Sequence, residues 1–214
     1  MTRWTKMLAI AAMLIFAGLN PPAVPEGFGH TDDHSGHTIP TTGATPQGKA
    51  VDIELLDLTL VDQDGRKVRF KSEVIGDRLA IIDTFFTSCD TICPILSGLF
   101  LNLQKKLGSR LGRDVVLVSI SVDPGTDIPA RIKKYATRQG AKPGWVFLTG
   151  GKRSVDRVLR GIGAYVRDYT QHAPAILVGD GRHGGWTRYY EFPNPDLVLG
   201  RLEELREARL AKAQ

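Results

Sequence analysis

Leu79-Ala-Ile-Ile-Asp-Thr-Phe-Phe86 is an almost unbroken apolar run, and it leads straight into Thr87-Ser-Cys89-Asp-Thr-Ile-Cys93-Pro94. Such a run predicts a central β-strand buried on both faces, because a strand with one wet face would alternate apolar and polar residues. Beyond it, Leu96, Leu99, Phe100, Leu103 and Leu107 recur at helical spacing, so a helix starts near Pro94. Proline suits the first turn of a helix, where its missing N–H would have had no partner. Both cysteines therefore lie where a buried strand hands over to a helix. Open α/β sheets place their sites there.

The rest of the domain extends outward from this point. Upstream, Leu55 to Leu60 and Lys67 to Phe70 flank Asp62-Gln-Asp-Gly65 and predict a hairpin. Downstream, Val115 to Ser121 is a second buried strand, Pro129 to Arg138 a helix, and Trp145 to Leu148 a short strand. Val155, Val158, Leu159 and Ile162 mark a third helix. Ala175 to Val178 and Trp186 to Glu191 form a late strand pair around Gly179-Asp-Gly181, and a charged helix from about Pro195 closes the chain. This order predicts an α/β fold, a thioredoxin-like sheet flanked by helices with an N-terminal hairpin, over residues 51–214.

Composition agrees. A chain of 214 residues with 42% hydrophobic and 24% charged side chains is neither wholly disordered nor a polytopic membrane protein. The net charge of +5 comes without a run of basic residues or interleaved aromatics, so no nucleic-acid partner is expected. Two cysteines four residues apart close too short a loop to brace a fold, because the entropy a disulfide removes grows with loop length. They are expected to be chemistry rather than architecture.

The N-terminus reads differently. Arg3 and Lys6 precede an uncharged apolar stretch, Met7 to Leu19, and Asn20-Pro-Pro22 ends it. Residues 1–19 are therefore expected to be a signal peptide or membrane anchor, which makes the protein an exported one. Residues 20–50, rich in Pro, Gly and Thr, read as a flexible tether. It carries His30, His34 and His37 beside Asp32 and Asp33. Such a cluster can take up a divalent transition metal, or be no more than a solvated linker.

Cys93, at the predicted helix start, is where the macrodipole and free N–H groups would favour a thiolate. Cys89, one turn earlier, can point its sulfur into the same space. Two such sulfurs can form a disulfide or grip a soft metal ion. A metal needs a third ligand, and the domain holds only His172 and His183. His172 directly precedes the strand from Ala175 and is the candidate. His183, within Gly181-Arg-His-Gly-Gly185, is expected to be a turn residue.

These residues resemble the Sco/SenC family of membrane-anchored copper chaperones for cytochrome c oxidase. The resemblance spans roughly Val51 to Arg209. It rests on Phe86 to Pro94, on Ser119-Ile-Ser-Val-Asp123-Pro124 with Asp127 and Pro129 following, on Trp145 to Gly150, and on Tyr169 to His172. It implies a thioredoxin-like fold and a copper ion held by Cys89, Cys93 and His172. Asp123 would stand close to that site without binding the metal. The implied partners are the copper-site subunit of cytochrome c oxidase or another copper chaperone, together with a thiol reductant. The implied location is the periplasmic side of the inner membrane, held there by the N-terminal segment or released by cleavage. A thiol–disulfide oxidoreductase using the Cys89/Cys93 pair is the alternative. Pro174, just before a strand, resembles the proline opposite the redox pair of such enzymes. The longer Cys-x3-Cys spacing argues mildly against it.

Overall fold

Every residue of Leu79–Phe85 is buried, as is every residue of Val115–Ser121. These two runs form the middle of the sheet because helices cover both of its faces. In this computed structural model residues 48–213 are described. The apolar N-terminal segment and the tether as far as residue 47, with its three histidines, lie outside them. The strands are β1 (Lys49–Ala50), β2 (Thr59–Asp62), β3 (Lys67–Arg69), β4 (Leu79–Phe85), β5 (Val115–Ser121), β6 (Trp145–Thr149), β7 (Ala175–Asp180) and β8 (Gly184–Tyr190). The helices are α1 (Ile92–Leu107), α2 (Pro129–Arg138), α3 (Lys152–Gly161) and α4 (Pro195–Lys212). Among the described residues no helix is long and apolar enough to cross a membrane.

The strands form one sheet in the order β1-β8-β7-β4-β5-β6-β2-β3. β4, β5 and β6 run parallel, with Asp83 opposite Ser119, and the outer strands pair antiparallel. The α/β class, the flanking helices and the N-terminal hairpin of β2 and β3 are as the sequence predicts. On one face Leu96, Phe100 and Leu103 of α1, Ile132 and Tyr135 of α2, and Val198 and Leu202 of α4 pack against Ile81, Phe85 and Leu117. On the other, Val155, Val158 and Leu159 of α3 and a wide helical turn at Phe70–Ile75 cover Ala80, Ile82 and Val118. That turn, six residues long, is too short to show a period in the sequence.

Two boundaries differ from expectation. The hairpin's first strand begins at Thr59 rather than Leu55, and Glu54 N–H instead donates to Gly161 O at the end of α3 (2.8 Å). Strand β7 also runs through Gly179 and Asp180, which read as a turn in the sequence. Glycine is needed at 179 because the Trp186 ring lies across it: a Cβ there would be 2.2 Å from the indole. The turn that follows is built on Asp180. Its carboxylate accepts from the backbone of Arg182 and His183, from the His183 ring and from both ends of the Arg209 guanidinium. His183 is thus a turn residue, as expected, and Arg209 ties α4 to the sheet.

Candidate metal and redox centre

The cysteine segment sits at the C-terminal end of β4, where the chain leaves the sheet and turns into α1. Cys89 N–H donates to Phe86 O (3.2 Å), closing a turn. Thr91 precedes the first turn of α1, so Cys93 is its second residue. Cys93 N–H donates to the Cys89 sulfur (3.3 Å). Both cysteines are free thiols, Cys89 half-buried and Cys93 only 1% exposed.

The expectation that Cys93 is the favoured thiolate is corrected here. Burial pushes the Cys93 thiol far up, and hydrogen bonding to Cys89 and the nearby Asp83 carboxylate push in the same direction. Burial also raises Cys89. There it is outweighed by donation from the Cys93 thiol and from the N–H groups of Cys93, Thr91 and Ile92, so Cys89 is lowered. The free N–H groups of a helix start point outward along its axis. The sulfur before the helix receives them, whereas Cys93, inside the first turn, points into the core with Leu96 and Phe100. Of the two thiols, Cys89 is thus the lowered one and Cys93 the buried, raised one.

Beneath the pair lies Asp83, the one charged residue of the β4 run. By strand alternation it shares a face with Ile81 and Phe85, towards α1. It is 3% exposed, and its Oδ1 has no partner. Burial raises its pKa to about 7, against the opposing pull of the Ser119 hydroxyl and its own N–H. Ser119 Oγ in turn accepts from Trp145 Nε1 (3.0 Å), and Ser97 pairs with the Tyr135 hydroxyl nearby (3.0 Å).

His172 ends the short helical turn Tyr169–Gln171 and is 8% exposed. Its Nδ1 donates to Tyr169 O (2.8 Å), which leaves Nε2 as the atom with the free lone pair. Nε2 is buried and has no partner. An imidazole oriented by a carbonyl on one nitrogen and bare on the other is prepared to be a metal ligand. The ring packs edge-on against Phe86 (5.6 Å), the residue that leads into the cysteine loop. It also lines a cavity of about 120 Å³ with Ile82, Tyr165, Arg188 and Tyr190. Among the described residues no three His, Cys, Asp or Glu side chains stand together as a ready ligand set. The structure brings Cys89 and Cys93 together, and it sets His172 beside the base of their loop without completing the triad.

Asp123 is half-buried in the loop after β5, and its carbonyl accepts from Thr126 and Asp127 N–H. Four residues on, the side chain that touches the cysteine loop belongs to Asp127. Its carboxylate accepts from Thr87 N–H and hydroxyl and from Ser121 Oγ. No local sequence signal marks this role, because Thr87 lies 40 residues away along the chain.

The sequence profile of the family described as SCO1/SenC matches residues 49–180, more than half of the chain. The chain belongs to the SCO1/SenC family. Among curated members, the "SCO1 protein homolog" of Bacillus subtilis is 37% identical over 102 residues, which are 47% of this chain and 51% of that protein. The chain thus spans about half the length of the curated SCO1/SenC relatives it matches. Among solved structures, BsSco is described as a member of the Sco family of cytochrome c oxidase assembly proteins with a disulfide switch. It superposes with a TM-score of 0.62 at 26% identity over 74% of this chain and 96% of that one. ScoI of Arabidopsis thaliana, solved with copper bound, superposes with a TM-score of 0.58 at 24% identity over 75% of this chain and 98% of that one. At that identity it speaks for the SCO1/SenC fold alone.

Proposed function

We propose that this domain binds one copper ion through Cys89, Cys93 and His172 and passes it on during maturation of the copper centre of cytochrome c oxidase. The observation that carries the reading is the pairing of two sulfurs at the start of α1 with a buried, unpartnered His172 Nε2 beside the loop that bears them. Two thiolates and an imidazole are a donor set suited to copper in either oxidation state. Membership of the SCO1/SenC family supports the same reading. For all three to hold one ion, the His172 segment would have to close on the pair, since among the described residues they do not yet stand together as a ligand set. The work is done outside the cytoplasm, on the periplasmic side of the inner membrane, with Met7 to Leu19 as anchor or export signal.

A second reading, thiol–disulfide exchange, is favoured by the polarisation of the pair: a lowered Cys89 that attacks and a raised Cys93 that keeps its proton. The two activities share the same sulfurs and therefore compete. A closed Cys89–Cys93 disulfide has no thiolate to offer a metal. The test is a paired Cu(I) titration of reduced and oxidised apo protein, with free thiols counted before and after. The reduced form is expected to take up one copper per chain and the oxidised form little. Equal uptake by both would overturn the shared site.

A further inference from the structure

Asp127 is 1% exposed, and no cation pairs with it among the described residues, yet three donors converge on its carboxylate. Thr87 N–H bridges both oxygens (3.2 Å each), the Thr87 hydroxyl meets Oδ1 (2.5 Å), and Ser121 Oγ meets Oδ2 (2.7 Å). Thr87 lies two residues before Cys89. Ser121 is the last residue of β5, and its oxygen also accepts from Asp123 N–H (3.1 Å). The Asp127 N–H itself returns to Asp123 O (2.9 Å). One buried carboxylate therefore fastens the cysteine loop to the end of β5 and to the loop carrying Asp123. A buried carboxylate without a cation is costly unless well hydrogen-bonded, and all its bonds converge on these two loops.

We propose that Asp127 is a positioning residue for the cysteine pair: it clamps Thr87 so that the Cys89 sulfur stays in line with the N–H groups of α1. It rests on the reading of Cys89 and Cys93 as the working pair, and it assigns the clamp to a residue that binds neither metal nor thiol. The arrangement belongs to the dithiol form, because both cysteines are free in it. Loosening the clamp weakens the hydrogen bond that the Cys89 sulfur accepts from Cys93 N–H in the dithiol form and so favours the disulfide.

The test uses the full-length chain, equilibrated with glutathione redox buffers. Closing the Cys89–Cys93 bond releases two electrons and two protons, which glutathione disulfide takes up as its own S–S bond opens to two thiols. Losing a hydrogen bond to a charged acceptor predicts that Asp127→Asn moves this equilibrium about tenfold toward the protein disulfide. Thr87→Val keeps the Asp127 charge and removes only the hydroxyl tie, so it should move the equilibrium the same way by a smaller factor. A merely structural role would lower the melting temperature of both redox forms alike and leave the equilibrium where it was. That result would overturn the proposal, as would a shift in Asp127→Asn with none in Thr87→Val, which would mark an effect of charge rather than position. Should Asp127→Asn fail to fold, Thr87→Val alone decides between a shift and none. Wild-type protein that binds no copper would defeat the copper reading and leave this equilibrium test intact.

Discussion

Asp83→Asn should remove a pH dependence that the buried carboxylate builds into the fold. In the folded protein burial carries Asp83 from an ordinary 3.8 to about 7. The unfolded chain releases this proton near pH 4. Between those values the folded state holds a proton that the unfolded state has lost, so stability falls as pH rises from about 4 to 7 and is level on either side. A gap of roughly three units at about 1.36 kcal/mol each sets an upper bound of about 4 kcal/mol. That is a large share of the about 5–15 kcal/mol that holds a typical domain together. The assay is urea unfolding of reduced wild-type and Asp83→Asn protein at several pH values from 4.5 to 8. Subtracting the variant cancels shared groups such as Asp180. Burial raises that carboxylate, but the Arg209 side chain and the backbone N–H groups of the β7–β8 turn lower it further, so its contribution is lost only in strong acid. The wild-type-minus-variant difference is expected to fall by a few kcal/mol as pH rises. A difference that stays flat would refute the assignment of a buried, high-pKa carboxylate at position 83.

Two further predictions follow from the same contacts. Iodoacetamide should label Cys89 well before Cys93 in reduced apo protein, as read by peptide mass analysis; equal rates, or Cys93 first, would reverse the assignment of the nucleophile. Arg209→Met should cost about 3 kcal/mol in urea unfolding because it strips the paired cation from an Asp180 that is 2% exposed, and an unchanged midpoint would show that α4 is held by its apolar face alone.

The sheet's centre was legible because β4 and β5 are buried on both faces, and a two-faced strand announces itself as an apolar run. The cysteine loop was legible for a related reason, since a strand end, a proline and a helical period meet there. What escaped the sequence depends on direction and on contacts across the fold. A helix dipole favours charge at its N-terminus, but which of two sulfurs faces the free N–H groups depends on which one the core takes. Cys93 goes to Leu96 and Phe100, and Cys89 is left with the amides. Asp123 and Asp127 look alike in a string of letters; only the return of the chain beneath Thr87 separates them. Asp180 and Arg209 are 29 residues apart and carry no local signal of their pairing. His172 was singled out in the sequence as one of only two domain histidines, whereas its bare Nε2 depends on a carbonyl three residues away.

The central claim is that Cys89, Cys93 and His172 hold one copper ion. Its most direct test is metal analysis and visible spectroscopy of the reduced, copper-loaded full-length chain and its single alanine variants. Wild-type protein is expected to carry one copper per chain with thiolate-to-Cu(II) charge-transfer colour. Cys89→Ala and Cys93→Ala should lose both. His172→Ala should weaken binding by at least about 10- to 100-fold, since even the loss of an outer partner of a metal ligand has that effect. Full copper content and undiminished colour in either cysteine variant would contradict the account.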